Sequence, residues 1–502
     1  MSDLLPRTPR RPLMWPDSVL DLQDAMADEL AEPLYIVGGA VRDAFLGHPV
    51  KDLDLTTRGS AIEIGRQIAN RLNGDFYILD SERGVARVLI DSAQGKLVID
   101  IARFRGHDLS EDLHERDFTI NAMAVELQSD LTQLIDPLNG EADLTRRAIR
   151  RCSPHAISDD PIRALRAVRQ SVQFSARMEP ETMKDVRAAG QHLLETSAER
   201  IRDELVKLLI LEKPVAALRI ADALGLLVHV VPEIAPLHGL KQSHANGLDA
   251  WGHTLSVIEK LRGLLTTISP ARTEFSAAVF DYGMVVMALD RYRPQLQAHI
   301  ASYWAGDRPH EWLLMLAALM HDSGKAQTAM LEEGRWRFHG HDAISAEMAA
   351  ARANALRLSN DEKQRLVAIV QSHMHRVFWD DLSDLAIHRF WRGLGAAGVD
   401  VALLVMADYL GAWGVEVNQD VWIRLVERIR RLLDAYYVEY DRLVAPTPLV
   451  DGKLLMESLK LQPGIMIGKL LDAIREAQVL GEIHVAEDAM QFARDYLKNH
   501  LT

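Results

Sequence analysis

Asp52 and Asp54 are the sharpest chemical signal in the chain. They stand two apart in KDLDLTT, where polar and apolar residues alternate as in a half-buried strand. A period of two points both side chains to one face. Two carboxylates on one face can share a pair of Mg²⁺ ions about 3.5–4 Å apart, an arrangement suited to nucleotidyl transfer. Such a pair alone is ordinary in a solvated strand or turn. In this chain it follows GGAVRD. Gly38 and Gly39 lack side chains, so backbone N–H groups there can approach phosphate oxygens, and the helix that follows adds its positive N-terminus.

A second constellation begins near residue 238. His253 stands in WGHTLSVI, His321 and Asp322 in LAALMHDSGK, and Asp408 in VMADYL. Imidazoles and carboxylates from separate helices can converge on one divalent metal. Lys325 after HDSG is placed to meet a phosphate. His244, His339, His341, His373 and His375 share the region, and their spacing leaves open whether they hold a second ion.

The elements that must position these groups change along the chain. LYIVGG, DLDLTT, ARVLID and KLVIDIARF read as strands, with the turn-like AQG between the last two. VRDAFLG reads as a short helix stopped at Gly47, and TINAMAVEL as a helical start running into a strand. From about residue 159 the period becomes helical: PIRALRAVRQSVQFSA first, then SAERIRDELVKLLILEK with Arg200 and Glu204 facing out. Beyond that nearly everything reads as helix, with breaks expected at 231–239 and 445–452, both rich in Pro and Gly.

Composition agrees. A chain of 502 residues implies about three domains. A hydrophobic content of 48% with only 6% aromatics favours a mostly helical protein with a sizeable core. The single cysteine, Cys152, excludes an internal disulfide framework and fits a reducing cytoplasm. No stretch approaches the ~18 apolar residues of a membrane span, so no membrane partner is expected. The net charge of −14 argues weakly against nucleic acid, but local charge decides phosphate contact. Arginines cluster from Arg146 to Arg202, either as solvated helix faces or as a phosphate-binding surface.

GGAVRDAFLGHPVKDLDLTT resembles the head signature of the class II tRNA nucleotidyltransferases (CCA-adding enzymes) and the related bacterial poly(A) polymerases, of the DNA polymerase beta-like superfamily. ERDFTINAMA resembles their ribose-selecting segment, DPLNGEADLTRRAIR the head-to-neck join, SDDPIRALRAVR the nucleobase-reading helix and SAERIRDELVKLL its support. The tail LQPGIMIGKLLDAIREAQVLGEI is similar to the C-terminal helices of bacterial members. The order H…HD…D resembles the HD-domain phosphohydrolases.

The resemblance implies roles residue by residue. Asp52 and Asp54 become Mg²⁺ ligands, with Asp100 as a third carboxylate. Gly38, Gly39, Arg42, Arg116, Asn121, Arg166 and Arg169 would contact nucleotide, and Asp117 the ribose 2′-OH. Asp160 and Arg163, three apart on the expected helix, would share a face and offer a donor and an acceptor to the edge of C or A. His253, His321, Asp322 and Asp408 would hold a divalent transition metal or Mg²⁺. Three segments depart from the usual pattern: Asp159-Asp160 for Glu-Asp, Glu115-Arg116-Asp117 for Arg-Arg-Asp, and SERGVARV for a His-Gly-Thr loop.

The expected fold is α+β: an N-terminal extension (1–27), a polymerase beta-like nucleotidyltransferase α/β head (28–150), a helical neck and body (151–235), an HD domain (236–444) and a helical tail (445–502). The expected activity is template-independent addition of C and/or A to the 3′ end of tRNA from CTP and ATP. Addition of CC only or of A only, poly(A) synthesis, and an HD-driven RNA-end phosphohydrolase are the alternatives. The GRRF-type run associated with poly(A) polymerases is absent after DLDLTT.

Overall fold

A mixed six-stranded sheet carries the DxD pair. Its strands are β1 (Leu34–Val37), β2 (Asp52–Thr57), β3 (Asp75–Asp80), β4 (Val85–Ser92), β5 (Gly95–Arg103) and β6 (Ala124–Glu126). Their order is β3-β4-β5-β2-β1-β6. β2 and β5 run parallel and the other neighbours antiparallel. The computed structural model describes residues 4–27, 32–50, 52–92, 95–243, 247–270, 280–380, 382–414 and 417–500.

Alternation decides which face of this sheet is buried. Leu53 and Leu55 of β2, Leu97, Ile99 and Ile101 of β5, and Ala86 and Val88 of β4 are all buried. Each larger aliphatic among them contributes about 1.5–3 kcal/mol of transfer free energy. The helix Ala61–Leu72 covers them with Ile64 and Ile68. It comes so close that a Cβ on Gly65 would stand 3.0 Å from Phe76 and 3.2 Å from Ala86. Ser60 caps the helix by accepting from the Glu63 N–H, and Asn73 ends it in the left-handed conformation. Since period two sends alternate residues the other way, Asp52, Asp54 and Asp100 belong to the opposite face.

The expected strands form as β1, β2, β4 and β5, although Ala93 and Gln94 of the expected turn lie outside the described residues. The helix Gly39–Leu46 stops at Gly47, whose φ is +69°. TINAMAVEL becomes a 3₁₀ turn, Thr119–Asn121, followed by β6.

Three features differ from expectation. β3 had no alternating signal because it is an edge strand, with Tyr77, Ile78 and Leu79 exposed. Asp160 does not lie on the helix, which spans Arg163–Gln173. Pro161 follows it, and a residue before proline is pushed out of the helical region. Glu204, expected to face out from the helix Ala198–Leu209, is buried at 4% exposure.

The chain divides into two compact units: Met1–Leu205 with Ala216–Val230, and Val206–Val215 with Val231–Thr502. The second is mostly helical, with two short two-stranded hairpins. His310–Met320 and Ala397–Trp413 are buried along nearly their whole lengths, as helices apolar on every side must be in a globular core. Ala250–Ile268, His341–Ala355 and Asn360–Ser372 pack around them. Gly452–Leu459, Ile465–Val479 and Ala486–His500 share a cluster that includes Leu455, Leu470 and Ile474. Among the described residues, no single helix is long and apolar enough to cross a membrane.

Candidate functional site

The parallel register of β2 and β5 places Asp54 directly beside Asp100. Arg87, opposite Asp100 across the antiparallel β4–β5 pair, grips the Asp100 carboxylate with two hydrogen bonds of 2.7 and 2.8 Å. Asp52 is exposed. Asp54 keeps solvent access but is walled in by protein. That enclosure, followed by its like-charged neighbours Asp100 and Asp52, raises its pKa above the ordinary carboxylate range against the pull of Arg116. A cluster that resists its own negative charge is suited to a divalent cation.

Gly38 meets Asp54 at the turn out of β1. Its φ is +74°, and a Cβ there would stand 3.0 Å from Asp54 Oδ2 and 3.1 Å from Arg116 Nη1. Glycine is required twice over, by backbone conformation and by space. At Gly39 a Cβ would come within 3.3 Å of Arg42 Nη2. Arg116 also donates from Nε and Nη2 to the buried Asp112.

Next to the carboxylates runs a continuous polar network. Arg42 Nη1 donates to Asn121 Oδ1 at 2.6 Å. Asn121 Nδ2 donates to Asp117 Oδ1 at 2.9 Å and to Gln170 Oε1 at 3.0 Å. Asp117 accepts further bonds from the Phe118 N–H and from Arg166 Nε, both at 2.8 Å. Arg166 continues to Glu204, which also receives Arg169 Nε at 2.8 Å. Asp117 is buried, yet Arg166 and the Asn121 and Phe118 donors hold its pKa well below the usual range. Burial works the other way and is outweighed.

Arg163 reaches back to the segment carrying Arg116. Its guanidinium donates to the carbonyls of Glu115 at 2.8 Å, Ala156 at 2.9 Å and Arg116 at 3.2 Å. It also lies 3.6 Å from Asp160, but that carboxylate is gripped by Arg200 at 2.8 and 2.9 Å. The two residues therefore meet without sharing a helix.

Two members of this site are not evident from sequence. Glu204 is visible as a helical acid, but its face is set by Arg166 and Arg169, which are distant in sequence. Arg105 stands against Arg116 and Arg163. Its pKa is lowered by enclosure and then by those like charges, a relation no local pattern carries.

In the second unit, His253, His321, Asp322 and Asp408 converge. His253 Nε2 lies 2.9 Å from Asp408 Oδ1 and 3.3 Å from Asp322 Oδ2, and His321 Nε2 lies 3.2 Å from Asp322 Oδ2. His321 Nε2 is buried with no aligned hydrogen bond, and Asp322 Oδ2 is buried among His253, His321 and Lys325. The carboxylates call for positive charge. Burial alone would lower the His321 pKa, but Asp322 and Asp408 outweigh it and push it up to about 10. A bound divalent ion satisfies the same demand. Lys325 Nζ already lies 2.6 Å from Asp322 Oδ2 and is buried. Of the further histidines, His341 and His373 join this cluster. His339 and His375 are exposed and do not, and His244 lies outside the described residues.

A carboxylate-bearing sheet beside an arginine-rich helix defines a polymerase-type nucleotidyl-transfer head, and comparison with known families agrees. Residues 34–150 match the Poly A polymerase head domain, 177–237 the probable RNA and SrmB-binding site of polymerase A, and 296–411 the HD domain. A CC-adding tRNA nucleotidyltransferase from Geobacter sulfurreducens is 40% identical, covering 91% of this chain and 90% of that one. An A-adding tRNA nucleotidyltransferase from Deinococcus radiodurans is 31% identical, covering 91% and 94%. The solved Thermotoga maritima CCA-adding enzyme complexed with tRNA shares the fold with a TM-score of 0.54 and 20% identity, over 96% of both chains. The chain belongs to the tRNA nucleotidyltransferase family and carries an HD domain.

Proposed function

We propose that this enzyme adds C and/or A nucleotides to the 3′ end of tRNA, using CTP and ATP and no nucleic-acid template. The observation that carries this reading is the placement of Asp52, Asp54 and Asp100 on one sheet face beside the Arg42–Asn121–Asp117–Arg166–Glu204 network. Asp52 and Asp54 would hold Mg²⁺, which supplies charge for the attack of the RNA 3′-hydroxyl on the nucleotide α-phosphate and for release of pyrophosphate. Gly38, Gly39, Arg42 and Arg116 are assigned to the triphosphate. Asp117 is assigned to the ribose 2′-OH, since each carboxylate oxygen has more than one lone pair to offer. Asp160 and Arg163 are assigned to the base edge, with Arg166 and Arg169 fixing the helix that carries Arg163. A reducing cytoplasm fits this substrate and the lone buried thiol of Cys152.

A second reading, addition of CC only, rests on the CC-adding relative at 40% identity; other CC-adding relatives, at 30% and 28%, stand beside the A-adding one at 31%. The experiment is incubation of the purified enzyme with tRNAs lacking CCA, ending in CC, or mature, each with one NTP at a time. Addition of two C and then one A supports full CCA synthesis. Addition of two C with no A on the CC-ended tRNA selects the second reading. No transfer to any of the three overturns both.

The His253–His321–Asp322–Asp408 cluster is assigned to a divalent metal and to phosphoester hydrolysis at RNA ends. The convergence of the His253 and His321 imidazoles on the Asp322 and Asp408 carboxylates supports that assignment.

A further inference from the structure

We infer that Arg7 is a positioning residue for the incoming nucleotide, acting through the buried Asp136 and Glu141 to fix the turn that links Asp117 to Asn121. This rests on reading Asp117 as the contact to the ribose 2′-OH. It adds a residue outside the segment 34–150 that matches the polymerase head.

Two acids shut away from water depend on this arginine. The side chains of Asp136 and Glu141 are 0% and 2% exposed. Arg7 reaches both: Nη2 donates to Asp136 Oδ2 at 3.0 Å and Nη1 to Glu141 Oε2 at 2.5 Å. The Arg10 N–H donates to the other Glu141 oxygen. Among the described residues, Arg7 is the one cation paired with either acid. Burial raises the Asp136 pKa above the ordinary carboxylate range, against the pull of the Glu141 and Gly140 N–H groups and of Arg7. Taking away a buried acid's partner leaves an uncompensated charge, which the surrounding chain must move to relieve.

Those acids govern the start of a helix. Asp136 accepts from the Gly140 N–H at 2.6 Å and the Glu141 N–H at 3.1 Å, satisfying two donors that the helix Gly140–Thr145 leaves open at its N-terminus. The same helix packs tightly on Thr119. A Cβ on Gly140 would stand 2.1 Å from the Thr119 carbonyl oxygen, and Asp143 accepts from Thr119 Oγ1 at 2.6 Å. Thr119 opens the turn Thr119–Asn121, and Asn121 donates back to Asp117 at 2.9 Å. The path from Arg7 to the ribose contact therefore runs through packed and hydrogen-bonded groups of one compact unit.

The rest of the N-terminal segment is tied down independently of this path. Arg7 and Leu134 exchange backbone hydrogen bonds of 3.0 and 2.8 Å, and the Met14 N–H donates to the Ala44 carbonyl at 2.9 Å. Trp15 Nε1 donates to the Leu131 carbonyl at 3.0 Å. Replacing the Arg7 side chain removes its grip on the two acids and leaves these bonds in place.

The test is the ratio of kcat/KM for a ribonucleotide to that for its deoxy form in the full-length chain. It is measured with CTP on a tRNA lacking CCA and with ATP on a tRNA ending in CC. A variant that merely folds less well lowers both values together and leaves the ratio alone. Arg7→Met should lower the ratio about three- to ten-fold, since a remote substitution that shifts a binding group by about 1 Å can cost up to about 100-fold. Arg7→Lys keeps the charge without the fork and should fall between Arg7→Met and the parent. If Arg7→Met does not fold, Arg7→Lys decides alone: a lowered ratio supports the inference and a parental one overturns it. Trp15→Phe, which loses a hydrogen bond of the same segment, should keep the parental ratio. Arg7→Met with Asp117→Asn should be no worse than Asp117→Asn alone, because both act at one contact. A parental ratio in Arg7→Met beside a lowered one in Asp117→Asn overturns the role of Arg7 and leaves the ribose reading standing. A parental ratio in both overturns both. Equal losses in Arg7→Met and Trp15→Phe also overturn the inference, because Arg7 would then only anchor the segment. Losses that multiply in the double variant overturn it too, because Arg7 would then act by another route.

Discussion

At the scale of single residues, the proposed transfer site is a balance of charge in a confined space. Among the described residues, Asp52 and Asp54 have no arginine fork comparable to that of Arg87 on Asp100. We predict that Asp52→Ala or Asp54→Ala removes transfer while leaving the fold intact. Residues that merely orient metal ligands are worth about 10–100-fold, so a direct ligand should cost more than roughly 100-fold. Near-parental rates in either variant would move the active site elsewhere. Asp117 is a different case because it is buried and fully engaged. Asp117→Asn keeps its shape while removing its charge, and should weaken discrimination between CTP and dCTP by about ten- to hundred-fold, the worth of about 1–3 kcal/mol. Unchanged discrimination would mean that Asp117 only braces Arg166. Its depressed pKa adds a pH signature. The stability it contributes is complete above the unfolded value of about 4 and is lost as the pH falls through the lower folded value. The stability gap between parent and Asp117→Asn should therefore narrow below about pH 4, measured by denaturant unfolding.

At the scale of elements, the site depends on how closely strands and helices approach. Gly38 is the tightest point. Gly38→Ala would force a side chain against Asp54 and Arg116 at a backbone conformation that disfavours one, a strain of about 1–3 kcal/mol. We expect a folded protein with transfer cut at least as far as by loss of Asp54. Gly468→Ala is the control. It sits in the helix Ile465–Val479 with nothing near its Cβ, and should stabilise slightly or not at all. Equal activity in the two variants would show that the turn does not shape the site. The helix Arg163–Gln173 carries the base-choice prediction. Asp160→Ala and Arg163→Ala should both lower correct incorporation and raise the relative use of GTP and UTP, measured in single turnovers. Arg163→Ala should do so more strongly, since it also frees the carbonyls of Glu115, Arg116 and Ala156. An unchanged C/A preference in both would assign the pair to structure alone. These elements also mark how far the sequence can be read. β2, β4 and β5 announce themselves by alternation, and the Asp52–Asp54 face follows. β3 does not, because an edge strand need not bury either face. The late start of the Arg163 helix is legible in Pro161, although helical spacing alone extends that helix back over Asp160. Glu204 is not legible, because its burial depends on Arg166 and Arg169 on another helix.

At the scale of the molecule, the two proposed sites fall in two compact units. The carboxylates and arginines of the transfer site all fall within Met1–Leu205, and the histidine–aspartate cluster falls within Val231–Thr502. Each helix of the second unit that bears a ligand is anchored by its own apolar residues. Leu255, Val257 and Ile258 flank His253, Leu316 and Leu319 precede His321, and Met406 and Leu410 flank Asp408. Removing the ligands should therefore empty the metal cluster without unfolding the helices that present them. Loss of Asp322 also leaves Lys325 as a buried cation facing Gln242, so His321→Gln with Asp322→Asn is a safer pair than two alanines. We predict that this double variant loses hydrolysis of a phosphodiester such as a 2′,3′-cyclic phosphate end and adds nucleotides to tRNA at the parental rate. Asp52→Ala with Asp54→Ala should show the reverse. The measurement is both activities in both variants, with helix content followed by circular dichroism. If the HD double variant keeps its helix content yet loses nucleotide addition, the two sites are energetically coupled and a two-part enzyme is the wrong description. If it keeps hydrolysis, the cluster holds its metal for structure and the hydrolytic site lies elsewhere.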